Sequence, residues 1–174
     1  MSMIGLVALA VFAGLLLYAA ATDATRLIIP NWLSLALAAI YPAAALMNGA
    51  PLTDVGVHLL FAAGVLAVGF FLFAANVIGG GDAKLLAGAA VWTGPEAFLV
   101  FIVWTVVAGG VLAAALLAAR LMLRAETSPP MVAHLLQKQN GIPYGVAIMI
   151  GGLIAMPAIP YLSTSDLTSL LTLP

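Results

Sequence analysis

The 174-residue chain has no cysteine, which excludes disulfides, thiol nucleophiles and zinc–cysteine sites together. Charge is nearly as scarce. Five Lys and Arg and six Asp and Glu amount to 6% of the residues, with a formal net charge of −1. A soluble domain carries charge on roughly a quarter of its residues because its surface must be wetted, so a soluble fold is excluded. Without basic runs, a nucleic-acid partner is not expected. There is no HExxH and no Gly-x-Ser-Gly motif, and His58 and His134 stand apart without metal-ligand spacing. No metal and no cofactor are therefore expected, and both histidines read as incidental. The first apolar stretch, Met3 to Thr22, lacks a basic n-region, and no convincing small-residue cleavage site separates it from a mature domain, so it reads as a retained helix rather than a removed signal.

What the chain has instead is grease. Hydrophobic residues make up 65% and mean hydropathy is +1.23. Several apolar runs approach or exceed the ~20 residues a helix needs to cross a bilayer, and the alternating pattern of a membrane barrel is absent. The expected fold is an all-α, polytopic membrane helical bundle, a single domain over 1–174 in contact with the lipid bilayer. Six transmembrane helices are predicted: Met3 to Thr22, Trp32 to Met47, Val55 to Val77, Ala83 to Trp92, Ala97 to Leu121 and Ile142 to Tyr161. Breaks fall at Pro30-Asn31, Asn48 to Pro51, Gly79-Gly80-Gly81, Thr93-Gly94-Pro95 and Ser128-Pro129-Pro130, residues that punctuate helices.

Charge sets the expected orientation. If the six spans alternate, Arg26, Lys84, Arg120, Arg124 and Lys138 share one side, and Asp54, Glu96 and Asp166 share the other. The positive-inside rule makes the first side cytoplasmic, with both termini outside. The fourth span is short: Ala83 to Trp92 rises only ~15 Å of a ~30 Å core. Fusing it to the fifth gives five spans but splits the basic residues between sides, so six is preferred and Asp82 is expected to lie recessed below the membrane surface. Segment 124–140 is the sizeable polar loop, with faint amphipathic character from Met131, Leu135 and Leu136; a surface helix and a plain connector both fit it. Gly64, Gly69, Gly88, Gly109 and Gly110 read as small residues that let helices approach. Trp32, Trp92 and Trp104 read as interface or packing residues.

In such a chain, acids beside membrane-embedded sequence are costly and call for a reason. Asp23 follows the first span and Asp82 the third, so span parity puts both at one membrane face. Two carboxyl groups held close cannot easily both ionise. The ionised member takes a proton from water while the neutral one polarises a scissile carbonyl. That chemistry is peptide hydrolysis without metal or covalent nucleophile. The structural alternative puts the acids in polar turns, Asp82 as N-cap of the fourth helix and Asp23 near a helix end. Gly79 and Gly81 leave room beside Asp82 for another backbone. A different class of function, a small proton- or cation-coupled transporter using both acids, also begins from intramembrane carboxylates; its usual marks, acids at mid-membrane and symmetry-related halves with broken helices, are missing.

Three segments carry a family resemblance. Gly79-x-Gly81-Asp82, with Lys84 following, resembles the GxGD signature of membrane aspartic proteases. Asp23-Ala-Thr-Arg26-Leu-Ile-Ile29-Pro30-Asn31 resembles the D-x-R…I-P-N segment of type IV prepilin peptidases, and Ile142-Pro143-Tyr144-Gly145 the segment that opens their last helix. The resemblance spans essentially the whole chain. It implies that Asp23 and Asp82 are the catalytic aspartates of an aspartic endopeptidase in the prokaryotic inner (cytoplasmic) membrane, with the active site towards the cytoplasm. The implied partner is a prepilin-like protein with a short basic leader before a hydrophobic N-terminal helix. Long bifunctional members add a cytoplasmic region, often with a cysteine tetrad, and N-methylate the new terminus. This chain lacks cysteine and has no room for that region between its first two spans, so it resembles the minimal, peptidase-only branch that serves Flp pili of tight-adherence systems.

Neighbouring residues have paired readings. Lys84 positions a leader or biases Asp82, or snorkels to the boundary; Arg26 carries the same ambiguity. Pro30-Asn31 starts the second helix, with Asn31 as its cap, and shapes the loop that holds Asp23. Pro143, Tyr144 and Gly145 are candidates for substrate contact through the phenol, or supply an interfacial anchor.

Overall fold

A computed structural model describes residues 2–123, 137 and 141–162; the surface-helix reading of 124–140 and the placements of His134 and Asp166 fall outside the described residues. Within them the chain is helical: α1 (Met3–Arg26), α2 (Asn31–Met47), α3 (Leu52–Ala74), α4 (Gly80–Met122) and α5 (Tyr144–Ala155), the last followed by a 3-10 turn, Met156–Ala158. Three of these, α1, α3 and α4, are long and apolar enough to cross a membrane, while α2 and Tyr144–Ala158 are shorter apolar helices.

Local chemistry explains the ends. Ser2 caps α1, its hydroxyl accepting from the Gly5 amide at 2.9 Å, which satisfies one of the orphan donors of the first turn. Pro30 and Pro51, extended and without amide hydrogens, precede α2 and α3. At the far end of α1, Leu27 turns left-handed with φ 54° and donates its amide to the Asp23 carbonyl at 2.8 Å. The first helix therefore runs on through Asp23 to Arg26 instead of stopping at Thr22. Asp23 sits inside its last turn, not in a loop beyond it.

The expected break at Thr93-Gly94-Pro95 is realised as one residue. Within α4, residues 80–93 and 95–122 are two helical arms joined at Gly94, which takes φ 55° and ψ −175°, a conformation that L side chains rarely adopt. Contacts with α3 give the consequence. His58 meets Val91 and the space beside Gly94, Phe61 meets Phe98, and Gly69 meets Ala83. Both arms of α4, 80–93 and 95–122, thus run from the Gly94 end back along α3. The second arm is antiparallel to α5, with Gly109 against Tyr144 and Thr105 against Gly151.

Small residues set the close approaches. Gly69 abuts Ala83, Gly88 abuts Ser34 and Leu37, and Gly109 abuts the Tyr144 ring, whereas Gly64 and Gly110 have open space where a side chain would go. The core gathers around Phe12 and Trp92, stacked with ring centroids 4.8 Å apart, with Leu16, Leu37, Tyr41, Leu85 and Ile148 fully buried about them. The Trp92 indole donates to the Leu37 carbonyl at 2.9 Å, so Trp92 is a core residue, while Trp32 and Trp104 are exposed. Outward faces of α3 and α4 carry exposed Leu60, Val68, Phe70, Val103 and Val106, as expected where lipid rather than water is the solvent.

Candidate active site

Asp23 is buried, 6% exposed, on the inner face of α1. Its carboxylate accepts a hydrogen bond from the Gly145 amide at 2.7 Å, one of the donors that the first turn of α5 leaves unsatisfied. A Cβ at Gly145 would stand 3.0 Å from the Asp23 carboxylate oxygen, so a larger residue there would push the helix end off the acid. The positive end of the α5 dipole further favours a carboxylate at this place.

Asp82 lies on the first turn of α4, three positions beyond the cap residue Gly79. Its carboxyl folds back over Gly79, the reach of an acid at the third helical position towards its own cap, as in half of a capping box. This corrects the N-cap reading: Gly79 is the cap and Asp82 closes over it. Glycine is required at the cap by contact, since a Cβ would lie 2.7 Å from the Asp82 carboxylate. Asp82 is half-buried, and Gly81 beside it packs against Ile29 of the segment that follows Asp23. The two acids therefore share one end of the bundle.

The two aspartate segments also dock on each other. Ile29 packs where a Cβ of Gly81 would point, at 3.3 Å. Two residues on, the Lys84 ammonium donates to the Asn31 Oδ1 at 2.9 Å. Asn31 is thus not the cap of α2, a position held by Pro30; its amide oxygen ties the start of α2 to the start of α4. Arg26 ends α1 on the exposed surface. Pro143 is buried as the residue preceding α5, and Tyr144 lays its ring across Gly109. Of that trio, Gly145 reaches an aspartate, and it does so through its backbone.

The other end of the bundle holds a polar cluster that residue spacing alone did not reveal. His58, 2% exposed, stacks on Tyr41 with centroids 4.8 Å apart, its Nδ1 lies 2.8 Å from the Val91 carbonyl, and its Nε2 lies 3.4 Å from Glu96. Tyr161 donates to Asp54 beside it. His58 is therefore not incidental: it fills the space that Gly94 leaves and meets the Val91 carbonyl three residues before the turn. Among the described residues no three His, Asp or Glu side chains gather as a metal site requires. Asp54 and Glu96 lie at this end and Asp23 and Asp82 at the other.

One end of the bundle thus carries two carboxyl groups, one tethered to a helix N-terminus and one folded over a glycine cap. A family model described as the type IV leader peptidase family matches residues 10–114. That match includes Asp23, Ile29 to Asn31, and Gly79 to Lys84, and stops short of Pro143 to Gly145. No curated protein and no solved structure matches the chain.

Proposed function

The chain belongs to the type IV leader peptidase family, and from that premise we propose that it is a membrane aspartic endopeptidase that removes the short basic leader of prepilin-like precursors, with Asp23 and Asp82 as its dyad. The observation that carries this reading is the placement of the two acids at one end of the bundle, Asp23 held by the Gly145 amide and Asp82 folded against Gly79.

In this reading the dyad holds one proton between two carboxyl groups. The ionised carboxylate takes a proton from water as it attacks the scissile carbonyl, and the protonated partner donates to the carbonyl oxygen. Collapse of the tetrahedral intermediate passes a proton to the departing amine and frees the leader. The Gly145 amide keeps the Asp23 carboxylate oriented throughout, and the Asn31–Lys84 pair keeps the start of α4 in register with the α1–α2 turn.

The membrane arrangement that fits is six crossings, with the arms of α4 counted separately and both termini outside. The dyad end, with Arg26 and Lys84, then faces the cytoplasm of the inner membrane. Because α1 ends at Arg26 and α2 begins at Asn31, no cytoplasmic region is inserted between them. With cysteine absent as well, this supports the peptidase-only form and tight-adherence (Flp) pilins as substrates, without N-methylation. A family of peptidases, with acids in clusters at the two ends of the bundle rather than at its middle, leaves the transporter reading without support.

Co-expression with a candidate prepilin tests the proposal. Wild type converts precursor to mature protein, seen as loss of the leader by mass spectrometry. Persistence of uncut precursor with every cognate pilin offered contradicts it.

A further inference from the structure

Two apolar grooves flank α3. One, of about 850 Å³, is lined by α3, Ile78 and both arms of α4, with only apolar residues and glycine from Val57 to Ile102. The other, of about 980 Å³, runs between α2 and α3 over a floor of Ala87, Gly88 and Val91 from the first arm of α4. Its α3 wall extends from Leu59 to Phe71, roughly 18 Å of helix at 1.5 Å per residue.

The second groove differs in its polar end. Asn31 and Lys84 line it, joined to each other at 2.9 Å, and Lys84 stands two positions from Asp82. Ser34, one turn further along α2, also lines it, and its hydroxyl is buried without a hydrogen-bond partner. The groove's polar mouth, at the first turns of α2 and α4, therefore lies at the same end of the bundle as the dyad, and the groove runs away from that end between apolar walls; neither aspartate lines it.

We propose that this groove seats the apolar helix of the substrate, with the leader junction at Asn31 and Lys84; the inference rests on the peptidase reading above. A chain with a polar leader joined to an apolar helix needs a track that is polar at the aspartates and apolar beyond them, and the 850 Å³ groove lacks the polar end. The small side chains of Ala38, Ala63, Ala67 and Ala87 let a helix approach closely, as in membrane helix pairs. The first turn of an incoming helix also carries amide donors without partners, which are costly in the membrane. The exposed Asn31 Oδ1, which accepts from Lys84 with one of its two lone pairs, is an acceptor at the place where those donors would arrive. Lipid acyl chains suit the all-apolar groove on the other side of α3.

The test fills each groove in turn. Ala63 and Gly64 are adjacent, exposed and on opposite grooves, and Gly64 has open space around its missing side chain. Ala63→Leu is expected to raise KM for the full-length precursor about tenfold or more, with kcat/KM for a short soluble leader peptide that ends before the apolar helix held within about twofold. Gly64→Leu is expected to leave both substrates within about twofold. Equal processing of precursor by wild type and Ala63→Leu overturns the docking, as does equal loss with Gly64→Leu, which would mark a groove that holds lipid. A second measurement does not depend on cleavage: in an Asp82→Asn background, p-benzoylphenylalanine placed at Leu66 should cross-link the precursor's apolar helix, and at Leu60 should not. Cross-linking at Leu66 with no cleavage by wild type would sustain the docking and defeat the peptidase reading; cleavage with no cross-link at Leu66 would do the reverse.

Discussion

The Gly145 amide donates to the Asp23 carboxylate at 2.7 Å across 122 positions of sequence, so the start of the last described helix fixes the first catalytic candidate. Asp23 is held on its backbone side too, because its carbonyl accepts the Leu27 amide that closes α1. A side chain at 145 meets the acid at 3.0 Å, and overpacking of that kind costs ~1–3 kcal/mol. Gly145→Val is therefore expected to lower kcat by about tenfold or more while KM changes little. Steady-state cleavage of a prepilin by the two proteins measures it, and wild-type kcat in the variant would remove Gly145 from the site.

Lys84 and Asn31 act as one connection between α4 and α2. Lys84→Ala and Asn31→Ala should each impair cleavage, and the double variant should be no worse than the poorer single. Coupling of about 0.5 kcal/mol or more from a double-mutant cycle is the expected signature. Strict additivity would mean that Lys84 and Asn31 serve separate purposes.

The Gly94 turn and His58 form the second coupled pair. Ala at 94 would have to adopt φ 55° and would run into the His58 ring, a combination of backbone strain and clash worth about 1–3 kcal/mol or more. His58→Ala leaves a cavity and strands the Val91 carbonyl partner and Tyr41 stacking, for a loss of ~2–4 kcal/mol. Both singles should lower the thermal unfolding midpoint in detergent. The double variant should recover the steric part of the Gly94→Ala loss, since the ring it strikes is gone. Full additivity of the two midpoint shifts would separate His58 from the turn.

Much of this was legible in the primary structure, for reasons that can be given residue by residue. Apolar runs and Pro/Gly punctuation located the described helices to within a few positions, except that the last was expected to reach Tyr161 and α5 ends at Ala155, and Gly94-Pro95 marked the turn in α4. The aspartates stood out because charge is rare in this chain. Helix ends were less legible: α1 continues through Asp23 because the Leu27 amide finds its carbonyl, and Asn31 is spared from capping because Pro30 takes that place. His58 looked solitary because its partners, Tyr41, Val91 and Glu96, come from three other stretches that only packing assembles. The groove between α2 and α3 had no signature either, since alanine-rich walls look the same in sequence whether they face a partner or lipid.

The dyad itself is tested most directly by mass-spectrometric cleavage assays on purified wild type, Asp23→Asn and Asp82→Asn in lipid nanodiscs, with a prepilin as substrate. Each amide keeps the size of the side chain and abolishes its proton chemistry, so each single variant is expected to lose at least about a thousandfold in kcat/KM while keeping the wild-type unfolding midpoint within a few degrees. Retention of near-normal cleavage by either folded variant would contradict a two-aspartate mechanism.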